Sequence, residues 1–395
     1  MSDHPVSACK HPDFSVMLGG PLYRLCLRAN LARPSMELVP RRIVTAIAIT
    51  WLPLVVLSAL GGDLVGGVGV AFVYDFEAHV RLLISVPLFF GGELVTHRVL
   101  QVIVEEFEER QIIAVKDQTS FASIIAGVMR LADSAILEIS LGALAFSGYW
   151  LWRSQFSLHI ATWYAVGGPD SPVFTAAGYW YAFVSLPIAR FILLRWYFRL
   201  LLWYVVLFMV SRLDLQLNAM HPDRAGGLGF VSDGVLALAP ALAAQSAVLS
   251  GTVASQILNE GATLPDFKIL IVGSLAFLML IAFLPFGFFA LQLARARRAG
   301  LRKYGLMATR YASEFRDKWL QAPENCEVEL LGSADIQSLA DLANGYAVIE
   351  QMRPLPFGRD LVMKLAVVIV MPLLPLVLTM VPFEQLLQQL IKVVI

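Results

Sequence analysis

Charge is scarce in this chain. Of its 395 residues only 15% are Asp, Glu, Lys or Arg, against about 25% in soluble domains. Cysteine is scarcer still: Cys9, Cys26 and Cys326 stand far apart and outside the apolar segments. Three scattered thiols build no disulfide framework, which points to reduced surroundings. Catalytic signatures are missing too, with no GxSxG, no HExxH and no paired CxxC. The expectation is a protein that is not an enzyme and carries no cofactor. The nearest approach to a metal motif is Cys9-Lys10-His11 with His4 upstream. Two ligand types in a polar tail make a poor zinc site, and no metal is expected. Excess charge of either sign is also absent, since 30 basic residues balance 30 acidic ones.

What the chain has in abundance is apolar surface. Hydrophobic types make up 58% of it and the mean hydropathy is +0.69. No water-soluble core needs that much, so a soluble enzyme, a nucleic-acid-binding protein and a disordered chain are excluded. The composition predicts an all-α, polytopic helical membrane protein whose main partner is the lipid bilayer.

A spanning helix needs about 20 mostly apolar residues, because the hydrocarbon layer is about 30 Å thick and each residue rises about 1.5 Å. Six runs fit: residues 43–60, 80–100, 133–152, 234–258, 269–293 and 361–381. A seventh, residues 176–213, is too long for one upright crossing. It offers no turn residues around Arg195-Trp196-Tyr197-Phe198-Arg199, while Pro187 supplies a kink. Basic residues decide how to count it. Arg295, Arg297, Arg298, Arg302, Lys303, Arg310, Arg316 and Lys318 follow the sixth run, and Arg24, Arg28, Arg33, Arg41 and Arg42 precede the first. Lys and Arg gather on the cytoplasmic side, and one crossing for residues 176–213 puts both groups there.

The reading is therefore about seven transmembrane helices. Residues 1–42 form a cytoplasmic leader, because the first apolar run starts near Ile43, too far in for a secretory signal. Residues 43–294 form a bundle of six crossings, with 176–213 as a long kinked or tilted fourth helix. Residues 295–360 form a small cytoplasmic basic helical region, where Ser333 caps a helix striped by Ile336, Leu339, Ala343, Tyr346 and Ala347. Residues 361–395 hold the last span and an amphipathic helix after Pro382, which suits a membrane surface or a neighbouring subunit. A homo-oligomer is expected, and anionic lipid is a candidate partner of the basic region. The site is a plasma or inner cell membrane. No internal repeat is clear enough to suggest an inverted-repeat transporter.

Ionisable groups at membrane depth are expensive, so they face a partner, a water-filled cavity or a substrate path. Glu93 and His97 stand at i, i+4 on one helix face, as a proton relay or as a helix-joining ion pair. Asp133 and Glu138 open the third span. Arg190, Arg195 and Arg199 lie on the fourth, spaced unlike a voltage sensor. Either they pair with Glu93 and Glu138, or they line an anion-attracting vestibule. The fifth span is rich in small and hydroxyl residues, and Gln245, Thr252 and Gln256 share a face. Cavity lining and close helix packing both fit that composition.

The string His221-Pro222-Asp223-Arg224-Ala225-Gly226-Gly227-Leu228-Gly229-Phe230 is the most unusual in the chain. Gly226, Gly227 and Gly229 permit a loop that aims N–H groups at an anion, with Arg224 for charge and His221 and Asp223 for proton or cation work. An elaborate turn with a helix cap is the plainer alternative. A channel or transporter for an ion or small polar solute is the leading expectation. A sensor or scaffold with a basic cytoplasmic surface comes second, and a lipid-acting enzyme third.

Overall fold

The computed structural model describes residues 14–31, 38–154, 161–166, 173–321 and 334–379, with side chains for all of these except 148–154. The terminal amphipathic helix over 383–395, the Ser333 cap, and His4, Cys9, His11 and Cys326 lie outside the described residues.

Helix dominates. Among the described residues the only named strands are β1 (Ala165–Val166) and β2 (Val173–Phe174), a two-residue antiparallel pair. A short helix, α1 (Pro21–Arg28), precedes the first long span, Val39–Gly61, which is built from α2 (Val39–Thr50) and α3 (Leu52–Gly61). The second span, Phe76–Glu109, joins α4 (Phe76–His79), a π-helical turn (Val80–Ser85) and α5 (Val86–Glu109). After α6 (Gln118–Ala132) comes α7 (Ala135–Ser154). The next span, Ala176–Val210, repeats the second in form: α8 (Ala176–Trp180), a π-helical turn (Tyr181–Ser185) and α9 (Leu186–Val210). Then follow α10 (Asp233–Ala237) and α11 (Ala239–Glu260), which lie in the span Gly229–Glu260. The span Leu264–Trp319 contains α12 (Lys268–Phe283) and α13 (Gly287–Trp319). Beyond it lie α14 (Ala334–Glu350) and α15 (Arg359–Val370), the latter opening the span Arg359–Thr379.

Among the described residues six helices are long and apolar enough to cross a membrane, and α7 is apolar over Ala135–Ser147. Connectivity nevertheless makes α7 run the height of the bundle. Its start is tied to one end, where the Gly20 N–H donates to Asp133 at 2.9 Å. The chain after it is tied to the other, where the Trp163 N–H donates to the Val70 carbonyl at 2.9 Å. The long fourth run is one continuous crossing element from Ala176 to Val210. Outward side chains such as Val44, Val56, Ile136, Leu201, Ile269 and Leu280 are exposed and apolar, a belt that lipid accommodates and water does not.

Proline marks every long span: Pro53, Pro87, Pro187, Pro240, Pro285, and Pro372 with Pro375. A proline has no N–H to give the carbonyl four residues back, and lipid offers that carbonyl no substitute donor. At Pro53 and Pro285 a neighbouring span supplies it. Pro53 frees the Ile49 carbonyl, and the Trp180 indole N–H donates to it at 3.0 Å. Leu54 bonds back to Trp51 and leaves the Thr50 carbonyl, which the Ser185 hydroxyl takes at 2.6 Å. Pro285 frees the Ile281 carbonyl, and the Tyr204 hydroxyl donates there. The breaks therefore bolt the helices to one another.

Two features add to the sequence reading. The spans Phe76–Glu109 and Ala176–Val210 share a π-helical turn that ends in a serine followed by Val86-Pro87 in one and Leu186-Pro187 in the other, a local repetition with little side-chain identity. The leader is partly folded onto the bundle. Phe14, Ser15, Val16 and Met17 are buried there, with the Phe14 ring 6.4 Å from Trp203.

Candidate functional site: a buried charge cluster under an amino-terminal strap

The folded part of the leader lies over a cluster of charged side chains from four helices. Arg42 comes from the first turn of α2, Glu93 from α5, Glu138 from α7, and Arg195 and Arg199 from α9. None of the five is more than 6% exposed. Spacing explains how α9 contributes two of them, since residues four apart face the same way.

Arg195 is the hub. Its Nη1 pairs with Glu93, its Nε lies 3.2 Å from Glu138 Oε1, and its Nη2 donates to the Met17 carbonyl at 3.3 Å. The other Glu93 oxygen accepts from Arg42 Nη1 at 2.9 Å. Among the described residues Arg199 pairs with no carboxylate. It donates to the Ala132 carbonyl at 2.8 Å and to the Gly19 carbonyl at 2.9 Å. The strap, residues 14–31, is fastened from its own side as well: the Leu22 N–H donates to Glu138 Oε2 at 3.2 Å, and Arg24 pairs with Asp133.

Two glycines let the strap lie this close. Gly19 and Gly20 have φ of 109° and 88°, values that side chains resist. A Cβ on Gly20 would stand 2.0 Å from Glu138 Oε2. Asp133, outside the spans, is held below its ordinary range, first by the Gly20 N–H bond and further by Arg24, against a smaller opposing effect of burial. Cys26, on the strap, has its thiol pushed up, chiefly by burial.

Charge does not balance in the cluster. Three guanidinium groups face two carboxylates, leaving one positive charge in excess. Among the described residues Arg42 Nε and Nη2 and Arg199 Nε have no hydrogen-bond partner. The Phe90 ring centroid lies 5.7 Å from the Arg42 guanidinium carbon.

The other sequence candidates are placed elsewhere or used otherwise. His97 is buried one turn beyond Glu93 on α5. Arg190 is half-buried near Arg81 and Tyr181, apart from the cluster. Gln245 accepts from the Tyr197 hydroxyl, while Thr252 and Gln256 are half-buried on α11. Small residues there serve close packing: a Cβ on Gly251 would come 2.9 Å from Val80 Cβ, and Ser246 donates to the Ile369 carbonyl.

In the glycine loop the N–H groups converge on an anion, and that anion is Asp223. It accepts from Ala225 at 2.7 Å, Gly227 at 3.2 Å and Gly229 at 2.9 Å, with His221 Nδ1 2.9 Å from it. Burial works to raise this carboxyl, but the three N–H bonds and His221 outweigh it and hold it low. Arg224, Gly226 and Gly227 take positive φ to make the turn. The loop is a keystone at this end of the bundle, with the Arg224 carbonyl receiving the Arg353 N–H at 2.7 Å. Among the described residues no group of three or more His, Cys, Asp or Glu is placed to hold a metal ion.

Sequence reasoning missed Arg42 and the strap. Arg42 carried a signal, since it follows Pro40 in the first turn of an apolar helix. The strap carried almost none, because its contacts to Arg195 and Arg199 are made by backbone carbonyls. Neither family models, nor curated proteins, nor solved structures compared with the chain match it.

Proposed function

We propose that this membrane protein is a channel or transporter for an ion or small polar solute, with its path through the charge cluster of Arg42, Glu93, Glu138, Arg195 and Arg199. The observation that carries the reading is the cluster itself. Burying five ionised groups costs several kcal/mol per ion before pairing offsets it, and apolar side chains would join four helices as well. Ionisable groups retained at membrane depth characteristically mark a solute or ion pathway. The strap closes that path at one end, held by hydrogen bonds to Arg195, Arg199 and Glu138 and by the buried side chains of Phe14, Val16 and Met17. Positive-charge placement puts the strap end in the cytoplasm, in a plasma or inner membrane, and self-association is part of the proposal.

Purified protein in liposomes tests this. Flux of potassium, chloride, phosphate or protons should exceed that of empty vesicles. Flux equal to empty vesicles for all four overturns the reading.

One observation favours a scaffold as second reading. Beyond Leu293, α13 runs on to Trp319, with Arg298, Arg302, Lys303 and Arg310 exposed along it and α14 fastened alongside through Arg297 to the Glu350 carbonyl at 2.8 Å. Such a basic arm suits anionic lipid or a cytoplasmic partner. A stoichiometric protein recovered with it from native membranes would favour that reading. Catalysis at His221 and Asp223 is the weakest reading, because both Asp223 oxygens already accept loop N–H groups.

A further inference from the structure

The strap meets the cluster in an unusual way. Guanidinium groups prefer carboxylate or phosphate oxygens, to which charge-assisted hydrogen bonds are roughly twice as strong as neutral ones. Here Arg195 Nη2 and Arg199 Nη2 instead hold neutral backbone carbonyls, of Met17 and Gly19. Arg42, 6% exposed, keeps Nε and Nη2 without a partner among the described residues. Arg42 and Arg195 grip opposite oxygens of the same Glu93 carboxylate, so their forks are neighbours. Local charge is one positive unit in excess. Everything the site lacks is one negative group with oxygen acceptors.

We infer that Arg42, Arg195 and Arg199 form a binding site for a single oxyanion group, carboxylate or phosphate, whose place the Met17 and Gly19 carbonyls hold in this structure. The inference deepens the transport reading and rests on it for the site's purpose: it names the cargo class as anionic. It also gives the strap a role. The strap is an internal competitor that leaves when the anion arrives and reseats when it departs. Glu93 and Glu138 stay behind as counter-charges, so binding one anion brings the site to neutrality. This is cheaper inside a membrane than leaving the excess charge uncompensated. Arginine rather than lysine suits the task, because its planar fork meets two oxygens at once.

The test is binding to the full-length protein in neutral detergent, at constant ionic strength, with inorganic phosphate and acetate as probes and chloride as reference. The expected result is a saturable rise in Tm with phosphate, since a ligand of the folded state stabilises it. Gly20→Ala is the decisive variant. Its Cβ would collide with Glu138 Oε2 at 2.0 Å, so it unseats the strap and leaves every guanidinium in place. It should bind phosphate about tenfold more tightly than the wild type, a competitor of about 1.4 kcal/mol having been removed. Arg42→Gln should weaken binding by about tenfold or more, as loss of a charge-assisted pair does. Arg42→Lys keeps the charge and lacks the fork; it should fold if Arg42→Gln does not, and should still bind more weakly than the wild type.

Repeating the titration in nanodiscs of phosphatidylglycerol and of phosphatidylcholine separates two sources of the anion. Loss of the phosphate response in phosphatidylglycerol alone identifies a lipid headgroup. A response equal in both lipids identifies a free solute. A Tm unmoved by phosphate and acetate in both wild type and Gly20→Ala overturns the inference, as does equal binding by wild type and both Arg42 variants. Binding without flux would leave this site standing and overturn transport. Cation flux without phosphate binding would do the reverse.

Discussion

The Tyr204 hydroxyl donates to the Ile281 carbonyl, the acceptor that Pro285 leaves without its helical N–H four residues on. The bond joins α9 to α12 and belongs to the set in which proline breaks in one span are repaired by a neighbour. Tyr204→Phe should cost about 1 kcal/mol, within the range for interhelical hydrogen bonds in membranes. Pro285→Ala restores an N–H for Ile281, so in that background Tyr204→Phe should cost much less. A double-mutant cycle on Tm in detergent measures this, and additive costs would contradict the repair account.

Glu93 and Glu138 should not be equally important. Glu93 is held by two arginines, Arg42 and Arg195, and Glu93→Gln strands two buried guanidinium groups. The expected loss is about 3–5 kcal/mol, the cost of breaking a buried pair, read as loss of a monodisperse peak on fluorescence-detected size exclusion. Glu138 shares Arg195 and also accepts the Leu22 N–H, which a glutamine carbonyl continues to accept. Glu138→Gln should therefore cost less than Glu93→Gln.

Hydropathy made the fold class legible, because spans are dictated by the thickness of the lipid core. The count was harder at residues 176–213, where charge placement rather than length indicated one crossing. Pairing of arginines with acidic groups was among the alternatives read from residue type, and the structure adds which ones: Arg195 takes both glutamates, while Arg190 sits apart and Arg199 holds carbonyls. Arg42 was read as a leader charge because its partner lies 51 residues on, and one sequence does not show such pairs. The strap escaped notice since its contacts to Arg195 and Arg199 run through backbone carbonyls. In the glycine loop the anion nest was readable from Gly226, Gly227 and Gly229, but not that Asp223 itself fills it.

Asp223 makes a pH prediction. Its folded carboxyl lies below the ordinary value of 3.8, so its contribution to stability is complete above about that pH. It is lost as pH falls through the lower folded value. Amide exchange at Ala225, Gly227 and Gly229 should be slow and flat, after correction for intrinsic rates, from pH 5 to 8. Asp223→Ala should speed it and cost about 1–3 kcal/mol, the price of buried donors left unmet. Exchange unchanged in that variant would contradict the loop geometry.

Cys26 reports on the strap. Burial raises its thiol, which lowers the thiolate fraction near neutral pH. With Cys9 and Cys326 replaced by serine, maleimide labelling of Cys26 should be slower than that of a free thiol. Gly20→Ala, by unseating the strap, should bring the rate close to that of the free thiol. Equal rates in the two proteins would mean that the strap does not depend on Gly20.

Flux through Gly20→Ala compared with the wild type tests the central claim most directly. The two proteins are reconstituted at equal density in liposomes, and efflux of trapped phosphate and chloride is followed against empty vesicles. Passage through the Arg42–Glu93–Arg195 cluster with the strap as its closure predicts faster efflux for Gly20→Ala than for wild type, and both faster than empty vesicles. Efflux indistinguishable from empty vesicles in both, with Gly20→Ala folded and its Cys26 exposed, contradicts it.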